Sequence, residues 1–338
     1  MISKPRILFL NPVRHAHPVY KNLSSVTQPE LLSSKSRAEL FQDFKGKYNN
    51  ITAIYSTSSS YALAGKFDKE LIQHLPPSLK FICHNGAGYD NIDIEACTAR
   101  GIKVTNAPDP VTDATADLAI FLLLGALRQL NPAIFSLRNG NFKTGIDFGH
   151  DPQGKTLGVL GMGRIGRAVK RRAEPFGMKT IYHNRNKLNE DDAAGAEYVS
   201  FGRLLGESDI ISVHVPLNSR TKHLIGEQEI QKMKDGVVIV NTARGAVIDE
   251  AAMTAALEAG KIAAVGLDVY EREPEINQIL AKNSRALLIP HLGTHTTETL
   301  AKMETLAMEN ARRGCLGESL LTVVAEQLEK AGALTNEH

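Results

Sequence analysis

The stretch Gly154–Arg167, which reads GKTLGVLGMGRIGR, decides how the rest of this chain is interpreted. Its apolar part, Thr156–Leu160, is typical of a buried strand, and apolar residues at helical spacing follow it. Three glycines separate the strand from the helix in the spacing G-x-G-x-x-G: Gly161, Gly163 and Gly166. This context predicts a dinucleotide site, because the turn brings N–H groups at the start of a helix close to the phosphates. A glycine-rich turn that only packs on its own sheet is the alternative.

The composition indicates a globular protein with more than one domain. The chain has 338 residues, which is long for a single core. Its hydrophobic content of 43% and its charged content of 22% are ordinary for a globular chain. The net charge of +2 comes from both signs spread along the sequence, without a long basic run that would follow a phosphate backbone. We therefore expect no nucleic-acid partner.

Targeting signals and cysteines are also informative. The N-terminus shows no charged region, apolar region and cleavage site of a secretory signal, so we expect a cytoplasmic protein. The most apolar segment, Leu118–Leu127, has about half of the ~20 residues that a membrane-spanning helix needs. It therefore predicts a buried helix and no membrane partner. The cysteines Cys83, Cys97 and Cys315 are far apart, which predicts free thiols and no metal site.

Short apolar runs alternate with helical patterns, which predicts parallel sheets with crossover helices. The runs in the first part of the chain are Ile7–Leu10, Ile51–Tyr55, Leu79–Cys83 and Ile102–Thr105. Those that start with the strand before the glycine turn are Thr156–Leu160, Lys179–His183, Glu197–Val199, Asp209–Val215, Val237–Asn241, Ala263–Val269 and Ala286–Pro290. The predicted fold class is α/β with two domains, a Rossmann-type doubly wound dinucleotide-binding domain and a smaller flavodoxin-like α/β substrate domain.

Other elements are predicted from period and composition. Glu30–Tyr48 has a loosely helical period, and Phe135–Gln153 is rich in Gly, Asn and Asp, which favours a loop-containing arm. Leu300–Arg313 predicts a late helix, after which we expect the chain to return to the first domain.

The end of the second predicted strand of the nucleotide domain bears on cofactor choice. NAD-binding domains normally carry an acidic residue there, about twenty residues after the last glycine, which binds the ribose hydroxyls. This chain has Asn184 and Arg185 instead, a donor and a cation that suit the 2′-phosphate of NADP. The pair predicts NADPH over NADH, and a solvated surface arginine is the alternative.

Charged residues follow several buried strands. Arg244 comes after an aliphatic run, where its planar fork suits a substrate carboxylate, although a structural salt bridge is the rival. Asp268 and His291 end two further strands, and Glu271 and Glu273 lie between them. A histidine with a carboxylate partner can act as a general acid, but this spacing alone leaves a structural histidine equally open.

A second glycine turn follows the strand Leu79–Cys83 and reads His84-Asn85-Gly86-Ala87-Gly88-Tyr89-Asp90. Its small residues leave backbone N–H groups accessible to an anion at the carboxyl edge of a sheet. A plain turn is an equal alternative.

Taken together, these stretches resemble the D-isomer-specific 2-hydroxyacid dehydrogenases along nearly the whole chain. The matching stretches are Gly86-Ala87-Gly88-Tyr89-Asp90, Gly161–Gly166, Val240-Asn241-Thr242-Ala243-Arg244-Gly245, Gly266-Leu267-Asp268-Val269 with Glu273-Pro274, and Pro290-His291-Leu292-Gly293. Within the family the chain is most similar to fungal glyoxylate reductases.

The resemblance implies roles for individual residues. Arg244 would bind and polarise a 2-oxo acid, His291 would donate the proton, and Glu273 would keep His291 protonated. The N–H groups of Ala87 and Gly88 would bind the substrate carboxylate. Asp268 is similar to the family's ligand for the nicotinamide carboxamide. The cofactor-binding positions that the resemblance implies are Thr115, Gly161, Gly163, Arg164, Ile165, Gly166, Asn184, Arg185, Val215, Pro216, Thr221, Thr242, Ala243, Asp268 and Gly293.

The resemblance also implies a domain plan and an activity. Residues 1–108 with 297–338 would form the substrate domain, residues 109–296 would form the NAD(P)-binding domain, and the protein would be a homodimer. The polar run Ser56–Ser60 suits a small substrate such as glyoxylate or hydroxypyruvate, reduced by NADPH. The alternatives are a dehydrogenase for a bulkier substrate and a cofactor-sensing corepressor with the same fold. The short polar tail Gly332–His338 offers little of the unstructured extension that is typical of such a corepressor.

Overall fold

The computed structural model describes residues 4–328, so that the polar tail Gly332–His338 lies outside the described residues. The chain divides into two compact units. Unit 1 comprises the residues up to Val111 together with those from Thr296 onward, and unit 2 comprises Thr112–His295. The sequence predicts these divisions close by, after residues 108 and 296. Both units are α/β with fully parallel sheets, which confirms the predicted fold class.

The strands of the described residues are short, as expected for the interior of parallel sheets. In unit 1 they are β1 (Arg6–Phe9), β2 (Gln28–Leu31), β3 (Ile51–Thr57), β4 (Phe81–Asn85) and β5 (Lys103–Thr105). In unit 2 they are β6 (Thr156–Leu160), β7 (Lys179–His183), β8 (Glu197–Tyr198), β9 (Ile210–Val213), β10 (Val237–Asn241), β11 (Ile262–Leu267) and β12 (Ala286–Leu288).

Helices connect most of these strands. The helices that precede the second unit are α1 (His17–Val26), α2 (Arg37–Lys45), α3 (Tyr61–Ala64), α4 (Lys69–His74) and α5 (Ile94–Ala99). The remaining helices are α6 (Thr112–Leu127), α7 (Leu130–Arg138), α8 (Arg164–Ala173), α9 (Glu190–Ala193), α10 (Phe201–Glu207), α11 (Glu227–Gln231), α12 (Glu250–Glu258), α13 (Gln278–Lys282) and α14 (Thr297–Leu316). Short 3-10 turns lie at Ser58–Ser60, Glu174–Phe176 and Gly245–Val247.

The sheet of unit 1 has the strand order β2-β1-β3-β4-β5, which is the flavodoxin-like order. Alternation along the strands gives the sheet two buried faces: Ile7 and Phe9 of β1 pack toward α14, whereas Leu8 packs toward α2 and α4. The loops at the carboxyl edge of the sheet are therefore carried on a core that is buried from both sides.

The sheet of unit 2 has the order β12-β11-β10-β9-β6-β7-β8. The chain starts at β6, moves outward through β7 and β8, and returns to the other side of β6 at β9. This reversal creates a crevice outside the carboxyl ends of β6 and β9, where doubly wound sheets bind ligands. The glycine turn after β6 opens into this crevice.

One local prediction for unit 1 is corrected, and one helix of unit 1 was not predicted. The segment Glu30–Tyr48 is not helical from its start, because β2 ends at Leu31 and α2 begins only at Arg37, after Ser36 caps it by accepting the N–H of Glu39. The helix α1 has no predicted counterpart. Both elements lack a strong apolar pattern: β2 is an edge strand with Leu31 51% exposed, and α1 buries only Leu23.

The predicted arm is also corrected in part. Phe135 lies within α7, and residues 139–153 that follow contain no helix or strand. Among residues 4–328, no single helix is long and apolar enough to cross a membrane. The helices α6 and α7 meet that criterion only as a pair, and they are bent by 72° relative to each other.

Candidate active site

The glycine turn between β6 and α8 is shaped by contacts that only glycine permits. Gly161 has φ +99°, and a Cβ there would lie 2.8 Å from the carbonyl carbon of His214. A Cβ on Gly166 would lie 2.4 Å from the oxygen of Gly161, so the helix can approach the turn only because this residue has no side chain. The turn thus brings the start of α8 directly against the end of β6.

Three features at the carboxyl edge of this sheet fit a bound dinucleotide. A Cβ on Gly163 would meet no atom within 4 Å, so the side of the turn next to the start of α8 is open. The N-cap residue of α8, Gly163, has no side chain that could cap the helix, and N–H groups at the start of a helix suit an anion. After β10, Thr242 is 8% exposed, and its hydroxyl has no hydrogen-bond partner among residues 4–328. An orphaned buried hydroxyl at a strand end suits a polar ligand atom.

The end of β7 is tied to the glycine turn. The Oδ1 atom of Asn184 accepts the N–H of Met162 at 2.6 Å, and the carbonyl oxygen of His183 accepts the N–H of Gly161 at 3.0 Å. Arg185 is exposed next to them. Because Oδ1 of Asn184 is already bound, the donor Nδ2 is the amide atom that can bind a ligand.

The segment after β9 lies beside the same turn. A Cβ on Gly161 would lie 2.9 Å from the nitrogen of Val215, so this backbone borders the crevice. The hydroxyl of Thr221 donates to the carbonyl oxygen of Pro216 at 2.6 Å and accepts the N–H of Asn218 at 2.9 Å. Thr221 therefore shapes the loop through its hydroxyl, and its contact with a cofactor stays a prediction.

Arg244 is presented by a tight turn after β10. Nδ2 of the buried Asn241 donates to the carbonyl oxygen of Arg244 at 2.9 Å, and its Oδ1 accepts the N–H of Ala243 at 2.9 Å. A Cβ on the next residue, Gly245, would lie 1.9 Å from the carbonyl carbon of Tyr270. Glycine there lets the turn pack against the backbone that leads to Glu273.

The loop that carries His291 is held by Asp268 at the end of β11. The two carboxylate oxygens of Asp268 accept the N–H groups of Leu292 and Gly293, the latter at 2.8 Å, while its carbonyl oxygen accepts the N–H of His291 at 2.8 Å. Burial raises the pKa of the Asp268 carboxyl group, although these N–H groups and the charge of His291 oppose the rise. Thr115 on α6 adds a contact from its hydroxyl to the carbonyl oxygen of Gly293 at 3.3 Å.

His291 and Glu273 form a close pair. Nδ1 of His291 lies 2.7 Å from Oε2 of Glu273, and Oε1 of Glu273 accepts the N–H of Tyr270 at 3.0 Å. Burial alone would raise the pKa of Glu273, but the hydrogen bond and charge of His291, the Tyr270 N–H and the charge of Arg244 lower it overall. With Nδ1 bound to the carboxylate, Nε2 of His291 is the atom that can exchange a proton with a substrate.

The glycine turn of unit 1 has its peptide planes fixed from behind. The N–H of Ala107 donates to the carbonyl oxygen of Gly86 at 2.8 Å, and Nδ2 of Asn106 donates to the carbonyl oxygen of Ala87 at 2.7 Å. In a trans peptide the C=O and the next N–H point in opposite directions. These two bonds therefore turn the N–H groups of Ala87 and Gly88 away from Asn106, toward the side where an anion can approach.

Asn106 was given no role by the sequence analysis. It follows the short strand β5 and is 8% exposed, and a polar residue directly after a buried strand is the same signal that identified Asp268. Because β5 has only three residues, the sequence gives a weak indication that a buried strand ends before Asn106.

The polar run after β3 is largely bound within unit 1. Thr57 and Ser60 both donate their hydroxyls to Oδ1 of Asn11, the former at 2.8 Å, and the hydroxyl of the buried Ser56 lies 3.3 Å from Nδ1 of His84. These three hydroxyls therefore help to hold the loop. Because they are already hydrogen-bonded within unit 1, they give less support to the prediction that the run favours a small polar substrate.

Comparisons with known proteins agree with this geometry. The family model described as "D-isomer specific 2-hydroxyacid dehydrogenase, NAD binding domain" matches residues 120–293. The 4-methyl-2-oxopentanoate reductase A of Aspergillus oryzae is 48% identical over 324 residues, which cover 96% of this chain and 98% of that protein. Glyoxylate reductase 1 of Saccharomyces cerevisiae is 47% identical over 336 residues, 96% of each chain.

A solved structure is similar over nearly the full length. The crystal structure of a glyoxylate reductase from Paecilomyes thermophila has 51% sequence identity and a TM-score of 0.94, covering 97% of this chain and 100% of that one. The family match, these identities and the shared fold together identify the chain as a member of the D-isomer-specific 2-hydroxyacid dehydrogenase family, whose enzymes use NAD(P).

Proposed function

We propose that this protein reduces a small 2-oxo acid to the 2-hydroxy acid with NADPH as the hydride donor, and that Arg244, Glu273 and His291 carry the chemistry. The observation that supports this most directly is the 2.7 Å pair of His291 and Glu273 on the loop that Asp268 holds. Such a pair is a general acid with its counter-ion, placed at the carboxyl edge of a nucleotide-binding sheet.

His291, Glu273 and Arg244 have separate roles in the proposed reduction. When bound, the dihydronicotinamide supplies a hydride to the carbonyl carbon of the acid. The C=O π electrons then move to the oxygen, which takes a proton from Nε2 of the imidazolium of His291. Glu273 remains ionised and stabilises the imidazolium before transfer. Arg244 places a fixed positive charge where negative charge develops on the oxygen.

The substrate carboxylate is the second recognition element. We assign it to the N–H groups of Ala87 and Gly88, whose peptide planes are fixed by Ala107 and Asn106. Preorganised N–H donors bind an anion without a reorganisation cost at the moment of binding.

The cofactor would be held mainly by the glycine turn and by the polar groups at the strand ends, Asn184, Thr242 and Asp268. NADPH is favoured over NADH because Nδ2 of Asn184 and the exposed Arg185 stand where NAD-binding domains carry an acid. A carboxylate would repel the 2′-phosphate, whereas these two groups attract it.

Glyoxylate and hydroxypyruvate are the proposed substrates, and a branched 2-oxo acid is the second candidate. The second candidate is favoured by the internal hydrogen bonding of Thr57 and Ser60, and by the relative from Aspergillus oryzae that is named for 4-methyl-2-oxopentanoate. Discrimination between acids that differ by several methylenes is expected to reach about a hundredfold in kcat/KM.

The test is a panel of initial rates with purified protein and NADPH. Glyoxylate, hydroxypyruvate, pyruvate and 4-methyl-2-oxopentanoate are compared by kcat/KM, with NADH in parallel. A preference for 4-methyl-2-oxopentanoate would favour the second candidate, and no turnover of any acid would contradict the proposal. His291→Gln removes the proposed proton donor. His223→Gln is its matched control, because Nε2 of His223 also pairs with a carboxylate, at 3.0 Å from Oε1 of Glu271.

We also propose a homodimer that forms through the arm, which in the structure comprises α7 and residues 139–153. Phe135 is 72% exposed, Phe142 69% and Phe148 100%, and Ile134 and Leu137 of α7 are exposed as well. Apolar surface of this density on one segment marks an interaction site. A second copy of the chain is the proposed occupant because a self-complementary contact of one segment closes after two subunits.

A further inference from the structure

After α14 the chain turns back along the outer edge of the unit 1 sheet. Residues 321–327, here called the C-terminal segment, lie beside β5, where Val323 pairs antiparallel with Thr105. The N–H of Val324 donates to the carbonyl oxygen of Val104 at 3.0 Å, and Oε1 of Gln327 accepts the N–H of Val104 at 2.8 Å. This pairing covers an edge that would otherwise be exposed.

The C-terminal segment also reaches the glycine turn that contains Ala87 and Gly88. The hydroxyl of Thr322 donates to the carbonyl oxygen of Asn106 at 2.6 Å, and the N–H of Asn106 donates to the carbonyl oxygen of Thr322 at 3.2 Å. Asn106 in turn donates to Ala87 at 2.7 Å. A second contact joins the hydroxyl of Tyr89 to Oε2 of Glu326 at 2.9 Å.

Thr322 is itself fixed by α14. Asn310 is 0% exposed, and its Nδ2 donates to the hydroxyl of Thr322 at 3.0 Å while its Oδ1 accepts the N–H of Leu321 at 2.8 Å. A chain of hydrogen bonds therefore runs from the buried helix through the C-terminal segment to Asn106 and Ala87. Every link in it lies within unit 1.

We propose that the C-terminal segment positions the carboxylate-binding turn, so that Thr322 and Glu326 are positioning residues for the 2-oxo acid. This inference rests on the proposed function, in which the N–H groups of Ala87 and Gly88 bind the substrate carboxylate. Loss of the Thr322 hydroxyl removes one of the two hydrogen bonds between Thr322 and Asn106, so Asn106 and the peptide plane that carries the Gly88 N–H are held less firmly. Affinity for the acid falls, whereas the glycine turn of unit 2, which holds the nucleotide, is untouched.

The test compares Thr322→Val, which removes the hydroxyl at nearly constant volume, with Thr322→Ser, which keeps it. We expect Thr322→Val to raise KM for the 2-oxo acid about three- to tenfold, as for loss of one neutral hydrogen bond, with KM for NADPH within about twofold. Thr322→Ser restores the wild-type KM. Tyr89→Phe gives an independent variant with an increase of the same size. Glu318→Gln is the control, because Glu318 pairs with Arg312 outside the segment.

Hydrogen exchange of the peptide that contains residues 86–89 gives a readout that does not depend on turnover. We expect faster exchange there in Thr322→Val and Tyr89→Phe, and unchanged exchange at residues 161–166. Unchanged exchange and KM in both variants would overturn this inference, as would an equal rise in KM for the acid and for NADPH. Absence of turnover in the wild type would instead contradict the proposed function.

Discussion

His291 and Glu273 are held 2.7 Å apart, from Nδ1 to Oε2, by backbone groups that all follow β11. The carbonyl oxygen of Asp268 accepts the N–H of His291 at 2.8 Å, and the N–H of Tyr270 donates to Oε1 of Glu273 at 3.0 Å. The two partners are therefore positioned by residues that are only two apart in the chain. This anchoring gives the pair a defined orientation, with Nε2 of His291 directed away from Glu273.

Removal of Arg244 tests the proposed anion contact. We expect Arg244→Ala to lower kcat/KM by at least about a hundredfold, since a charge-assisted contact to the developing charge is lost. NADPH binding, measured by fluorescence titration, stays near the wild-type value because Arg244 lies outside the glycine turn. Arg244→Lys retains the charge without the planar fork and is expected to recover part of the rate. A folded Arg244→Ala protein with normal kcat/KM would exclude the assigned role.

The pH profile of reduction tests Glu273. Reduction requires a protonated His291, and a carboxylate at hydrogen-bond distance stabilises that cation. In Glu273→Gln the negative charge beside the imidazolium is lost, so we expect the basic limb of the kcat/KM profile to move to lower pH. In the wild type, the pKa of Glu273 is lowered from its ordinary value of 4.5. The carboxylate is therefore ionised near neutral pH, and its protonation should not limit the rate there.

Glu271→Gln is the matched control for this experiment. Glu271 is two residues away and also pairs with a histidine, His223, at 3.0 Å. We expect its substitution to leave the basic limb in place. A profile that moves equally in both variants, or in neither, would remove Glu273 from the proton transfer.

Asp268→Asn tests how the His291 loop is held. The substitution replaces one acceptor with an NH2 group that faces a backbone N–H, so one buried donor is left unsatisfied, at a cost of about 1–3 kcal/mol. We expect kcat to fall about tenfold or more as His291 moves out of position. A wild-type kcat in the folded variant would show that the loop keeps its position without the carboxylate.

Cofactor choice is tested by the double substitution Asn184→Asp/Arg185→Ala. Asp at residue 184 can still accept the N–H of Met162, so the glycine turn is preserved while the donor and the cation are removed. The wild type should prefer NADPH by about tenfold to hundredfold in kcat/KM, and the double variant should lose or reverse this preference mainly through KM for NADPH. The preference should weaken as salt rises, because Arg185 is exposed. Equal use of both cofactors by the wild type would contradict the assignment.

The arm predicts a dimer whose stability depends on its phenylalanines. Sedimentation equilibrium of the wild type should give a dimer, and Phe135→Ser/Phe148→Ser should raise the dissociation constant by at least about thirtyfold. Leu31→Ser is the control, because Leu31 is an exposed apolar residue of unit 1, far along the chain from the arm. A monomeric wild type would contradict the dimer proposal and leave the catalytic assignments unaffected.

Much of the fold could be predicted because its determinants are local. Buried parallel strands such as Val237–Asn241 are continuous aliphatic runs, and the glycine turn has a spacing that few other structures require. Where an element is only half buried, that signal is missing. The strand β2 and the helix α1 depend on contacts with β1 and α14 that no local pattern records.

What the sequence by itself determined is the set of polar residues placed at strand ends: Asn184, Arg244, Asp268 and His291. Each lies at or shortly after the end of a predicted strand, so each is expected at the carboxyl edge of a sheet. The sequence could not decide what these side chains bind, because hydrogen-bond partners depend on which strands become neighbours.

Only the tertiary structure decided between the alternatives. Spacing along the chain does not separate Glu271 from Glu273 as the partner of His291, and only the resemblance names Glu273. In the structure Glu273 reaches His291, whereas Glu271 pairs with His223. The two carboxylate oxygens of Asp268 accept the N–H groups of Leu292 and Gly293. The physical reason is that a hydrogen bond needs its atoms within about 3 Å. That distance is set by the packing of β11 beside β12 and by the turn that Gly245 allows against Tyr270.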